Sequence, residues 1–303
     1  MWMAAPAAMS EPTTTRTVPG PRAIAVRLEH IAEEFGPVYR AAKPFPHIVL
    51  DGVLCDQVLD TVLDEWPGPT DVRWVEYDDD PREFGKRTSC HVGRFGPTTQ
   101  RLLAEISSPF FLEFLSRLTG IPGLLPDPYF AAAGLFEVID GGLLDIHGDF
   151  TINQRTGLDR RCNVLVYLNH DWTDANGGQL ELWRARPLRR EPSIVPIFNR
   201  MVIFDTKPNA YHGHPNPVRA PAGATRKAIS AYYFTRGRPF REQFYGAQGV
   251  LAPGVARSRP AQLRAVGKAI TPPILVEAAK QLQRRMTGHT RLRSQMLPQS
   301  PVR

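Results

Sequence analysis

The sequence predicts an α+β fold, with a helical N-terminal portion followed by a compact β core. Three observations carry this. Before residue 120, apolar residues recur at helix spacing in several stretches. After GIPGLLPDPYF the texture shifts to short runs rich in Val, Ile, Leu and aromatics, separated by Gly, Pro, Asn and Asp. The 24 Gly and 29 Pro among 303 residues suit many turns and long loops rather than a helical bundle.

Taken in order, residues 1–21 are rich in Ala, Thr and Pro and read as a disordered tail. From Ala23 to Phe35, Ile24, Leu28, Ile31 and Phe35 form a helical stripe. FPHIVLDGVL reads as an extended lead-in strand, and Asp56 as the N-cap of a helix with stripe Leu59, Val62, Leu63 and Trp66. WVEYDDDPREFGKRTSC reads as a charged, exposed loop running into a short strand. Residues 98–118 read as helix, with Leu102, Leu103 and Ile106 inside and a break at Pro109. The β runs are GLFEVIDGG, NVLVYLN, QLELW, SIVPIF, RMVIFD and KAISAYYFT. Near the C-terminus Ile274, Leu275, Ala278, Ala279, Leu282 and Met286 make one face of a helix, opposite Lys280, Gln281, Arg284 and Arg285.

The net charge of +7 is unevenly placed. Residues 257–303 hold ten Lys or Arg and one acid, whereas the preceding 256 hold 27 basic and 29 acidic side chains. The basicity belongs to the tail, where a docked terminal helix is the plain reading and an anion-contacting surface the alternative. Nucleic-acid binding has no support in the rest of the chain. Cys55, Cys90 and Cys162 are too few and scattered for a disulfide scaffold or a CxxC zinc site, and Cys162 reads as a core residue. There is no run of about 18 apolar residues and no basic leader with a sustained apolar stretch, so a cytoplasmic protein without a membrane span is expected.

His147 and Asp149, in GGLLDIHGDF, are followed by His212 in VIFDTKPNAYHGH. Two imidazoles and a carboxylate in the pattern His-x-Asp…His are the ligand set of an open facial site for non-haem Fe(II). Zinc accepts the same atoms with water in its open position, so a metal hydrolase uses this set as well. On a strand, His147 and Asp149 share a face. His214 shares a face with His212 if HGH is extended, which makes it the alternative metal ligand. Arg226 follows in TRKAISAYYF and offers a cation to an acidic co-substrate, with Lys227 pointing the other way if this is a strand. Among further candidates for substrate contact, Asn163 could face a cavity, and Arg160 and Arg161 could fix an acidic group or stay solvated. Trp172 and Trp183 read first as packing residues. The glycines at 141–142 and 177–178 serve turns, since no P-loop or dinucleotide fingerprint accompanies them. YDDD at 77–80 reads as a solvated loop, and no nucleophile elbow is present.

The stretch from about Pro126 to Phe240 resembles the double-stranded β-helix core, jelly-roll and cupin-like, of 2-oxoglutarate/Fe(II)-dependent dioxygenases, closest to the prolyl-4-hydroxylase-like branch. HGD resembles its proximal His-x-Asp, and RCNVLVYLNHDW with NGGQLELW its central strands. FDTKPNAYHGHPNPV resembles the distal-histidine strand, and ATRKAISAYYF the strand bearing the co-substrate cation. The resemblance implies that His147, Asp149 and His212 bind Fe(II) and favours His212 over His214. It also implies that Arg226 pairs with the distal carboxylate of 2-oxoglutarate, a planar bidentate match that lysine does not reproduce. Tyr167 would donate to the same carboxylate, and Ser230 would line the cavity.

The implied domain plan is a 1–21 tail, an oxygenase domain over 22–245 with its core at about 126–240, and a basic C-terminal helical extension over 246–303. The implied reaction consumes 2-oxoglutarate and O2, releases succinate and CO2, and hydroxylates a C–H bond. Because Asp149 is present, halogenation is disfavoured. The expected substrate is a small molecule, an amino acid or natural-product intermediate. Peptidyl-prolyl hydroxylation is the alternative, and desaturation, epoxidation or cyclisation can use the same residues. A zinc hydrolase and a basic, non-catalytic binding protein are the readings from other classes.

Overall fold

The computed structural model describes residue 24 and residues 28–76, 83–130, 133–185, 188–191, 193–237 and 248–249. The YDDD loop at 77–80, the tail before residue 22 and the helix expected over 274–286 lie outside the described residues.

The N-terminal part supplies α1 (Leu28–Ala41), β1 (His47–Asp51), α2 (Asp56–Asp64), β2 (Val75–Glu76), β3 (Glu83–Ser89), α3 (Pro97–Ile106), α4 (Pro109–Thr119) and β4 (Leu125–Pro126). The break expected at Pro109 is there. Ser108 caps α4 by accepting from the Phe111 amide, and Pro109 takes the first turn, where its missing N–H costs nothing. The helix expected over Ala23–Phe35 instead runs Leu28–Ala41. Its C-terminal half is retained through Gly36 and Pro37 by packing on α4, where the Arg40 guanidinium donates to the Leu118 carbonyl at the end of that helix. Asp56 is the first residue of α2 rather than its cap. Cys55 occupies the cap position, and Asp56 accepts a side-chain hydrogen bond from Asn199.

The β core consists of β5 (Gly134–Gly148), β6 (Asp159–Tyr167), β7 (Glu181–Ala185), β8 (Leu188–Arg190), β9 (Arg200–Asp205), β10 (Tyr211–His214), β11 (Arg226–Thr235) and β12 (Gln248–Gly249). The order of neighbours is β1-β9-β6-β11-β5-β10-β7-β8, and every pairing is antiparallel. β5 is long enough to serve both halves, pairing with β11 through its first residues and with β10 through its last. This is the jelly-roll-like arrangement of a double-stranded β-helix with a helical layer against it. SIVPIF is not a strand. Only Ile194 bridges, to Leu180, and Pro196 lacks the N–H that a continuing ladder needs.

Strand parity sorts the core into two faces. Val164, Val166, Met201, Ile203, Ile229, Ala231 and Tyr233 join the helices, among them Leu59, Leu103, Ile106, Phe111 and Leu115. Cys162 is buried in this same layer, as expected, and burial pushes its thiol pKa up. The alternate residues Leu165, Tyr167, Val202, Phe204 and Ala228 turn inward and pack with Leu180 and Leu182 of the opposing half. Both faces are covered, so these strands read as unbroken apolar runs rather than as alternating ones.

Candidate metal centre and co-substrate cavity

The inward parity of three strands defines the site. Asn163, Leu165 and Tyr167 on β6, Phe204 on β9, and Arg226, Ala228, Ser230 and Tyr232 on β11 line a cavity of about 190 Å³. His147 near the end of β5, Asp149 just beyond it and His212 on β10 complete the wall, and His212 lies directly across from His147 in the ladder.

The ligand atoms of His147, Asp149 and His212 all lie within 4.8 Å of one another. His147 Nε2 is 3.8 Å from one Asp149 oxygen and His212 Nε2 is 3.5 Å from the other. Each histidine points Nδ1 at a backbone carbonyl two residues earlier, His147 at Asp145 (2.8 Å) and His212 at Ala210 (3.1 Å). Those contacts assign the proton to Nδ1 and leave the Nε2 lone pair for a metal. Burial pushes His212 down to about 4, opposed by the Asp149 carboxylate, so the ring is neutral at neutral pH. Burial works against ionising Asp149, but Arg160, the two histidines and Asn163 overcome it and hold its carboxyl well below the usual range. An unfolded histidine binds a proton near pH 6.5, whereas folded His212 resists it. The metal-free protein should therefore lose stability as pH falls from about 6.5 toward 4, a trend that urea melts at several pH values would read and that His212→Gln should lessen, buried His214, whose pKa is also lowered, supplying the remainder.

Asp149 is held by two neighbours. Arg160 Nη2 is 3.0 Å from its Oδ2, and Asn163 donates to the same oxygen at 2.8 Å. Arg160 Nε also donates to Asn163 Oδ1 at 2.8 Å, and its guanidinium stacks 3.4 Å from the Tyr232 ring centre. With Oδ2 occupied in this way, Oδ1 is the freer donor. The solvated alternative for Arg160 is not what the structure shows, because the side chain is buried. Arg160→Met should weaken Fe(II) binding about tenfold, since partners of metal ligands are worth about 10–100-fold in affinity. Anaerobic competition against a chelator measures this, and a change under threefold would show that Asn163 alone suffices.

Arg226 is buried at the cavity wall. Its Nε donates to the Gly178 carbonyl at 2.7 Å, and Nη2 reaches the Tyr167 hydroxyl at 3.4 Å. It forms no ion pair among the described residues. Gly178 has φ +65, and a Cβ there would stand 2.7 Å from Arg226 Cδ, so glycine is needed both for the turn and for this approach. Burial lowers the Arg226 pKa and raises that of Tyr167, each opposed by the other group.

His214 lines the same cavity but stands outside the three-ligand cluster, and its Nδ1 has no hydrogen-bond partner. Ser230 is fully buried on the lining face. Arg161 faces elsewhere and donates to Thr235. Trp172 donates to the Gly177 carbonyl and packs on Val138 and Val218, and Trp183 donates to Glu181, so neither lines the cavity. Lys227 sits on the helix-facing side with Glu137. Sequence reasoning passed over Glu83 and Lys86, which line the cavity from β3.

The profile of the 2OG-Fe(II) oxygenase superfamily matches residues 134–234. Among curated proteins none matches the chain. Among solved structures, a prolyl hydroxylase from Trichoplax adhaerens, in complex with a hypoxia-inducible-factor peptide, is 18% identical with a TM-score of 0.51, covering 68% of this chain and 90% of that one. A Pseudomonas putida prolyl-4-hydroxylase is 13% identical with a TM-score of 0.41, covering 70% and 100%. HygX from Streptomyces hygroscopicus, with nickel, 2-oxoglutarate and hygromycin B bound, is 14% identical with a TM-score of 0.45, covering 68% and 87%. No helix among the described residues is long and apolar enough to cross a membrane. Two imidazoles and a carboxylate converging on this β-helix make the centre that of an Fe(II)- and 2-oxoglutarate-dependent oxygenase. The chain carries the fold and the facial-triad metal site of the 2-oxoglutarate/Fe(II) oxygenase superfamily.

Proposed function

We propose that this chain hydroxylates a small molecule, an amino acid or natural-product intermediate, through an oxygenase unit spanning about residues 22–245. Arg226 and Tyr167 hold the distal carboxylate of 2-oxoglutarate in this reading, and Ser230 lines its site. The observation that carries the co-substrate assignment is the buried Arg226 guanidinium, which has no carboxylate partner among the described residues and faces the cavity that holds the triad. A buried cation in that state calls for an anionic ligand.

Iron and co-substrate supply the oxidising chemistry when bound, and the residues of this chain supply placement. His147, Asp149 and His212 would hold the metal through two imidazole nitrogens and a carboxylate oxygen. Arg160 and Asn163 fix the carboxylate. The apolar wall of Phe136, Val138, Leu165 and Phe204 keeps water from the reacting centre.

Anaerobic titration of Fe(II) with and without 2-oxoglutarate tests the co-substrate assignment through the visible charge-transfer band. A band in the native protein that Asp149→Ala weakens supports the assignment and justifies screening by succinate release. No band despite confirmed folding and iron loading sinks it. Stimulation of succinate release by proline-containing peptides, and by no small molecule, would replace the small-molecule reading with the peptidyl-prolyl one.

A further inference from the structure

Glu83 and Lys86 stand three residues apart on β3, so a regular strand would aim them at opposite faces. Both line the cavity. The cause is a bulged register: Phe84 pairs with Leu143 and Lys86 with Val138, so Ile139–Gly142 of β5 stand opposite Gly85 alone, which takes φ +63. Bulges of this kind re-aim side chains beside active sites. A Cβ on Gly85 would lie 2.7 Å from the Ile139 side chain and 3.1 Å from the Gly142 backbone, so the bulge depends on glycine.

The bulge places Lys86 Nζ 3.2 Å from Glu83 Oε2, with the lysine only 9% exposed and 5.1 Å from the Phe136 ring centre. In the ladder Lys86 lies across from Val138, whose neighbour on the other side is Arg226. Two cations from different strands therefore flank one residue and face one cavity. The unpartnered Nδ1 of buried His214 belongs to the same lining.

Charge accounting indicates what the second cation is for. Among the described residues the lining holds Lys86, Arg160 and Arg226 against Glu83 and Asp149, one positive charge in excess. Fe(II) and dianionic 2-oxoglutarate cancel each other, so the excess persists in the loaded site. Enclosed charge of one sign is costly in a low-dielectric cavity, and one further carboxylate removes it.

We propose that Lys86 is a second carboxylate-binding cation, presented by the Gly85 bulge and held by Glu83 until a ligand arrives, and that it receives the carboxylate of the primary substrate. The inference rests on the co-substrate reading above and narrows the substrate class to acids. Glu83 is the intramolecular competitor for the ammonium.

The test uses the full chain loaded anaerobically with Fe(II) and 2-oxoglutarate. The N-acetylated amino acids, each with a free α-carboxylate and no ammonium at the α-position, and their amides serve as probes, and perturbation of the charge-transfer band reports binding without turnover. Acids should perturb the band and the matching amides should not. Lys86→Met should weaken the acids at least tenfold, Lys86→Arg should retain them, and Glu83→Gln should tighten them several-fold. That last sign separates the proposal from a structural ion pair, whose loss would not improve binding. If Lys86→Met instead raises the 2-oxoglutarate Kd more than tenfold, the lysine still binds a carboxylate, but the co-substrate is its source. A native band with identical acid and 2-oxoglutarate titrations in Lys86→Met overturns the proposal while leaving the co-substrate reading intact, and so does equal response to acids and amides. Absence of any native band overturns both.

Discussion

Arg226→Met is expected to raise the 2-oxoglutarate Kd by roughly 30-fold or more while making the ligand-free protein more stable. The two effects share one cause. Arg226 is buried with, among the described residues, the Gly178 carbonyl and the Tyr167 hydroxyl as hydrogen-bond partners, so its guanidinium has no carboxylate in contact. Methionine fills similar space without that cost, and replacing buried charge with apolar groups is often neutral or stabilising by about 1–4 kcal/mol. When a carboxylate arrives, the balance reverses. Losing one partner of a buried, hydrogen-bonded charge pair costs about 2–5 kcal/mol, which sets the loss in affinity. Thermal melts without ligand and charge-transfer titrations with it read the two signs separately. A variant that binds 2-oxoglutarate within threefold of the native protein would remove Arg226 from the co-substrate site. One that is less stable without ligand would show that its contact with Gly178 is worth more than its burial costs.

Glu137→Ala is expected to destabilise the fold by about 3 kcal/mol, the lower end of what breaking a buried pair costs. On the helix-facing side of β5 its carboxylate gathers Arg87 at 2.7 Å, Lys227 at 3.8 Å, the Thr225 hydroxyl and, at 3.4 Å, the indole N–H of Trp66. Removing it leaves two cations, from β3 and β11, facing each other without the carboxylate they share. The lower end applies because Arg87 and Lys227 keep about a fifth of their side chains in water. Glu137→Gln retains the acceptor and should recover part of the loss. The expected fall in Tm is several degrees, and a fall below about 2 °C would mean that the cluster contributes no net stability. Lys227 also shows how strand parity divides labour: its neighbour Arg226 serves the cavity while it serves the scaffold.

Much of this was legible in the sequence because it depends on local rules. Pro109 and its Ser108 cap announce a helix boundary, and apolar runs between turn residues announce strands covered on both faces. His-x-Asp…His was legible because metal chemistry restricts residue types and because β10 returns His212 opposite His147. What escaped depends on tertiary neighbours. Arg160 looked like a surface or substrate-facing cation, since nothing local says that its guanidinium folds back under Tyr232 onto Asp149. Glu83 and Lys86 looked like residues of an exposed loop leading into a strand, and only the positive φ of Gly85, fixed by Ile139 and Gly142 behind it, turns both inward. The continuation of α1 through Pro37 was hidden for the same reason, because the contact of Arg40 with Leu118 lies 78 residues away.

The length of β5 turns the site into a ruler. Val138 near one end of that strand is the ladder partner of Arg226, and His147 near the other is the partner of His212. Between those two stations the strand is not regular: Ile139–Gly142 leave the ladder with β3, and this lets Val138 and His147, an odd number of residues apart, face one cavity. A residue added in the regular stretch from Leu143 to His147 would reverse the facing of the metal ligands, whereas one added within Ile139–Gly142 can be taken up by the bulge. The strand fixes how long a two-ended ligand must be to touch both stations at once, so selection by length is built into the scaffold rather than into any single contact.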